Sequence, residues 1–144
     1  MATASHTISL RVWSIKEDKA PLATSKDVTP GMWLEFASGS VQPHSNASAV
    51  PSPKIIAVEA PYRSGAGIET AYDVDGEEVD FHYAQSGEQF FALLAAGEDV
   101  AADALLESDG AGGMQAGSST FVRALEAVDN SASYEYVRIR VEVL

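Results

Sequence analysis

The chain has 144 residues, the size of one domain, and its 46% apolar content suits an ordinary globular core. Nine basic against 21 acidic residues give a formal charge of -12. That excludes a simple nucleic-acid-binding domain, which needs cationic surface against phosphate, and argues against docking on anionic lipid.

Residues 7–15 open with strand periodicity, Ile8, Leu10 and Val12 alternating with Ser9 and Arg11. Trp13 and Ile15 then fall on the other parity, so the segment reads as an outer strand or as an arm that pairs elsewhere. Residues 16–27 are polar, contain Pro21 and read as a loop. Asp27-Val28-Thr29-Pro30-Gly31 is a turn, because Pro fixes φ and Gly tolerates positive φ. A short strand over 32–36 follows, then a break at Ser38-Gly39-Ser40 and a return strand from Val41 to His44. Residues 45–53 are Ser-, Ala- and Pro-rich loop, 54–59 a β-branched strand, and 61–67 a second loop holding Tyr62 and Arg63.

An acidic turn, Asp73-Val74-Asp75-Gly76-Glu77-Glu78, leads into an alternating strand from Val79 to Tyr83. Residues 87–106 fit two descriptions equally. Phe90, Leu93 and Leu94 have helical spacing, yet strands over 89–95 and 104–107 flanking a turn at Gly97-Glu98 serve as well. Residues 109–117 form a Gly-rich turn region, 120–128 a strand, and Asp129-Asn130-Ser131 a turn. The clearest signal closes the chain: Val137, Ile139, Val141 and Val143 alternate with Arg138, Arg140 and Glu142, a strand with one buried and one wet face. Many short strands between Gly, Pro and Ser turns predict an all-β fold, a single small β-barrel or sandwich domain with long loops.

No cysteine is present, which excludes disulfides, thiolate metal sites and Cys nucleophiles. No stretch approaches the 18 or so apolar residues of a membrane span. Met1 to His6 show no cationic run before an apolar block, so a secretory signal is not expected and the chain reads as soluble and cytosolically made. The acidic excess favours solubility and is also compatible with a high-salt environment, where self-repulsion is screened.

Residue by residue, no active site emerges. Asp73-x-Asp75-Gly76 matches part of a calcium loop, but the regular ligand positions and flanking helices are missing, so a solvated acidic hairpin is expected. His6, His44 and His82 lack partners at metal-ligand spacing, and no metal is expected. There is no Gly-x-Ser-x-Gly elbow and no phosphate-cradling glycine motif; Gly110-Ala111-Gly112-Gly113 reads as a tight turn, and no cofactor is expected. The 87–106 stretch has the look of a biotin or lipoate carrier half, but Lys54 is the last lysine, which excludes the modified hairpin tip. Trp13, Trp33, Phe36 and Tyr62 suit a stacking platform, and suit core or interface positions better.

The order of these pieces from Asp27 onward resembles the head decoration (capsid cement) proteins of tailed bacteriophages and related archaeal tailed viruses. It comprises Asp27-Val28-Thr29-Pro30-Gly31-Met32 into a strand, the Ser/Ala-rich loop before Ile55, and Ala60-Pro61-Tyr62 to Gly67-Ile68. Ser86-Gly87-Glu88, Ala95-Ala96-Gly97-Glu98-Asp99-Val100 and Leu105-Leu106-Glu107-Ser108 follow, and the close is Ala124 to Asp129 and Val137 to Val143. Residues 1–26 lie outside the resemblance. It implies strands rather than helix over 87–107. It also implies a β-barrel decoration domain over 27–144, preceded by an N-terminal arm and loop over 1–26. Such a protein sits on the outside of an assembled icosahedral head, commonly as a trimer at three-fold or quasi-three-fold positions, with the major capsid protein as partner and no enzymatic role. The expected interface residues are the apolar and aromatic side chains Ile8, Leu10, Val12, Trp13 and Trp33, with Arg138 and Arg140 on the wet face of the last strand. Two other readings compete. A receptor- or glycan-binding β-sandwich on the virion needs exposed aromatics around a concave pocket, and a small barrel enzyme needs converging carboxylates such as Asp73, Asp75 and Asp80.

Overall fold

The computed structural model describes residues 7–13, 16–60 and 67–144. The expectations placed on His6, Ile15, Tyr62 and Arg63 lie outside the described residues. Among those described there is no helix, and the fold is all-β.

After a short first strand, β1 (Ser9–Arg11), five strands form one sheet: β2 (Glu17–Pro21), β3 (Trp33–Ala37), β4 (Ser40–Pro43), β5 (Ile55–Ala57) and β6 (Glu78–Tyr83). Their order is β2-β6-β5-β3-β4, and the outer strands meet at a parallel Leu22–Val41 bridge, so the sheet curls round on itself. The β3–β4 hairpin turns on Ser38 and Gly39, both at positive φ (51° and 85°), the conformation a two-residue hairpin loop requires. Inside lie Leu22, Val28, Leu34, Val41, Ile55, Ala57, Tyr72, Val79 and Phe81.

The second half supplies β7 (Gln89–Leu94), β8 (Asp99–Val100), β9 (Leu105–Ser108), β10 (Met114–Ala116), β11 (Val122–Ala124), β12 (Val128–Asp129) and β13 (Val137–Val143). Strands β7, β10, β9, β11 and β13 pair in that order, and β13 returns to β7, closing a five-stranded barrel. β8 and β12 form a separate ribbon. The strand alternative for 87–107 is the one observed, and β13 buries Ile139, Val141 and Val143 as its alternation predicts.

The first sheet and the barrel meet at β3 and β5. In β3 and β5, Leu34, Ile55 and Ala57 point into the first core, while Trp33 and Ile56 point into the second. Strands buried on both faces read as continuous apolar runs, which is what Ile55-Ile56-Ala57 is.

Three expectations are corrected. Residues 16–27 are not all loop: Glu17–Pro21 pairs antiparallel with Glu78–His82, and its mostly exposed, charged residues show no apolar alternation. The Gly-rich 109–117 region contains β10, which bridges β7 and β9. The described part of 1–26 is no free arm, because β1 pairs with β7 and Ile8 is fully buried in the second core.

Candidate interaction surfaces

The expected interface residues separate into buried and exposed sets. Ile8 and Trp33 have no exposed surface, so neither is available to a partner. Trp33 fills that junction, edge-on to Phe90 and Phe121 at 6.2 and 4.7 Å between ring centroids, with its indole N–H on Met114 Sδ at 3.2 Å. Leu10 and Val12 are half-buried, and Val12 packs against the second core. Arg138 does not stand on a wet face. Its side chain is 11% exposed and donates to the carbonyls of Pro30, Ile68 and Phe91 and, at 3.2 Å, to Glu69. The Pro30-Gly31 turn and residues 67–69 cover the outer face of β13 there, and the resulting burial pulls the guanidinium below its ordinary range. Arg140 is partly exposed, 4.0 Å from Glu126.

Trp13 is the exception among the apolar candidates: it is 57% exposed yet fixed in place. Its backbone N–H donates to Glu88 Oε2 at 3.0 Å, and its indole N–H to the Ser86 carbonyl at 3.3 Å. Its ring lies on Gly87, where a Cβ would come within 3.1 Å of Cζ2. The Arg11 guanidinium stacks 5.2 Å from the ring centroid, within cation–π range. Beneath, Glu88 is fully buried, accepts the Gln85 amide at 2.8 Å, and lies 3.4 Å from the buried His82 Nε2. Glu88 carried no signal in the sequence beyond its place after Ser86-Gly87.

The other end of β7 carries a contrasting surface. Asn130 anchors the loop that follows β12, its amide donating to the carbonyls of Leu94, Ala95 and Glu135. That loop holds Tyr134 at 99% exposure, while the Tyr136 hydroxyl donates to Asp109 at 2.6 Å. Burial, then Asp109, pushes the Tyr136 phenol above its ordinary range. Beside the loop, Asp99 and Asp129 are register partners across the β8–β12 ribbon, and the Ser131 hydroxyl and amide donate to Asp129 and hold its carboxyl below the ordinary range. An aromatic pair inside a Ser/Ala turn, Ser133-Tyr134-Glu135-Tyr136, was the available sequence signal for this surface.

A shallow cleft of about 250 Å³ is lined by Lys26, Gln42, Pro43, Ser45, Gly110 and Ala111, with no aromatic among them. Above it in chain order, His44 is buried with Nδ1 3.0 Å from Ser108 Oγ. Burial lowers its imidazole below the ordinary 6.5, and nearby Glu35 only partly offsets this. A base whose folded value is depressed stabilises the fold above its unfolded value, and that contribution is lost as pH falls. Thermal unfolding is therefore expected at progressively lower temperature as pH drops below about 6.5, with a shallower slope in His44→Gln. Equal slopes would remove His44 as the cause.

The carboxylates considered for catalysis serve the fold separately. Asp75 accepts the Ser25 amide at 2.8 Å, and Asp80 sits opposite Lys19 in the β2–β6 ladder, its carboxyl raised by burial. Asp73 belongs to the turn in which Glu77 accepts its amide at 2.8 Å. Among the described residues no three His, Asp or Glu side chains are grouped to hold a metal ion. No protein-family model and no curated protein matches the chain.

Proposed function

We propose that the chain is a structural virion protein without enzymatic activity, which binds the outside of an assembled icosahedral capsid and stabilises it. The observation that carries this reading is the order of turns and strands from Asp27 to Val143, which resembles the head decoration family along most of the chain. The all-β fold supports it, since a closed five-stranded barrel with a second sheet packed on it presents a rigid surface. So does Trp13, an exposed aromatic fixed by three contacts, the kind of pre-organised anchor that binding surfaces use. The partner is the major capsid protein, the location the virion surface, and the stoichiometry a trimer at three-fold or quasi-three-fold positions. Stabilisation follows from mass action: a protein that binds the lattice and not free subunits shifts assembly toward the lattice.

The test is co-sedimentation of the purified protein with empty and DNA-filled heads of the same virus. Saturable binding at a fixed ratio to the major capsid protein is expected, together with a raised temperature of head disruption. Absence of binding to both kinds of head overturns the reading.

A further inference from the structure

We propose that copies of this chain associate head to tail, the Arg11–Trp13 platform of one copy docking on the acidic Tyr134 end of the next. The two surfaces lie at opposite ends of one strand. Trp13 rests on the Ser86-Gly87 turn that leads into β7. The Tyr134 loop is tied to the turn that leaves β7, through Gly97 N–H to Asn130 O at 3.0 Å and Asn130 N–H to Glu98 O at 2.7 Å. Six residues of strand separate them by roughly 20 Å.

Their chemistry is complementary. In a chain of charge -12, Arg11 is exposed and makes no ion pair among the described residues, and it stacks on an exposed indole. At the far end, Asp99, Asp129 and Glu135 are exposed without a cationic partner among the described residues, and Tyr134, next to Glu135, is fully exposed. Asp99 and Asp129, register partners across the ribbon, offer two carboxylates to one guanidinium. The backbone of both surfaces is tied by hydrogen bonds, so docking orders side chains rather than chain segments. One end fitting the other, rather than itself, makes the contact heterologous, and a heterologous contact closes into a ring when its rotation permits. The trimeric closure rests on the decoration reading, whereas the contact itself is a property of the free protein.

The experiment is therefore run without heads, by sedimentation equilibrium of the full chain at moderate salt, where the long-range repulsion of like-charged copies is screened to about 8 Å. Wild type is expected to associate, and Arg11→Glu and the Asp99→Lys/Asp129→Lys double variant each to associate at least about tenfold more weakly. Combining all three substitutions restores the opposite charges and is expected to recover most of the association. Circular dichroism confirms that each variant is folded. The proposal is overturned by a wild type that stays monomeric to about 0.5 mM, by variants that associate as wild type does, or by a folded triple variant that does not recover. A monomeric wild type whose head binding is abolished by Arg11→Glu assigns the platform to the capsid protein instead. Loss of head binding with self-association intact strikes the decoration reading and leaves this one standing.

Discussion

Replacing Trp33 with alanine is expected to lower the unfolding free energy by about 3–5 kcal/mol, the usual cost of emptying a buried tryptophan site. The residue has no exposed surface and stands on β3, a strand of the first sheet whose other face packs into the second core. Its removal takes away two edge-on aromatic contacts, with Phe90 and Phe121, and the indole hydrogen bond to Met114. It leaves a cavity that rigid sheets on both sides are poorly able to collapse. Against a total stability of roughly 5–15 kcal/mol this is a large fraction, and a fall in unfolding temperature of roughly 10 °C is expected for a chain of this length. Trp13→Ala is the control: same residue type, mostly exposed, expected to change the midpoint little. Urea unfolding followed by circular dichroism compares the two. If Trp33→Ala unfolds at the wild-type midpoint, Trp33 is not the packed joint between the first sheet and the second core.

The contrast between those tryptophans also marks how far the sequence could be read. Strands that alternate apolar and polar residues were legible. The alternation of Val137 to Val143 gave β13 directly, and Ser38-Gly39 gave the β3–β4 hairpin. A strand lying between two cores has no wet face, so nothing in Trp33-Leu34 distinguishes an interface aromatic from a joint. β2 failed for the opposite reason. Glu17, Asp18 and Lys19 are exposed, and what makes them a strand is the ladder to β6, some 60 residues away. β10 was hidden by its setting, three residues at the edge of a glycine-rich turn, paired to strands on both sides.

The candidate surfaces follow the same rule. Trp13 falling on the wrong parity after Leu10 and Val12 was a real signal, because the side chain does leave the core face. Its support, the buried Glu88, comes from a turn 75 residues downstream and has no local mark. Arg138 alternates as a solvent-facing residue should, and is covered by chain segments more than 60 residues away that periodicity within one strand cannot register.

That covering is the basis of the last expectation, a coupled loss at Arg138 and Gly31. Arg138 ties three segments together by donating to the Pro30, Ile68 and Phe91 carbonyls, and its planar fork reaches separate acceptors as an ammonium does not. Arg138→Met leaves those carbonyls without their donor in a largely buried site and is expected to cost about 3 kcal/mol. Arg138→Lys keeps the charge and is expected to recover only part of it. Gly31 is at φ +98°, and a Cβ there would lie 2.2 Å from Arg138 Nη1 and 2.9 Å from the Phe91 carbonyl. Gly31→Ala therefore carries both backbone strain and expulsion of the guanidinium, and is expected to cost about 2–4 kcal/mol. Because both substitutions remove the same bonds, the double variant should lose less than the sum of the singles, by about 1 kcal/mol or more. Chemical unfolding of the four proteins closes that cycle. Strict additivity would mean that the guanidinium does not hold the Pro30-Gly31 turn against β13, and that the turn owes its position to the Gly31 N–H bond with the Ala57 carbonyl at 2.8 Å.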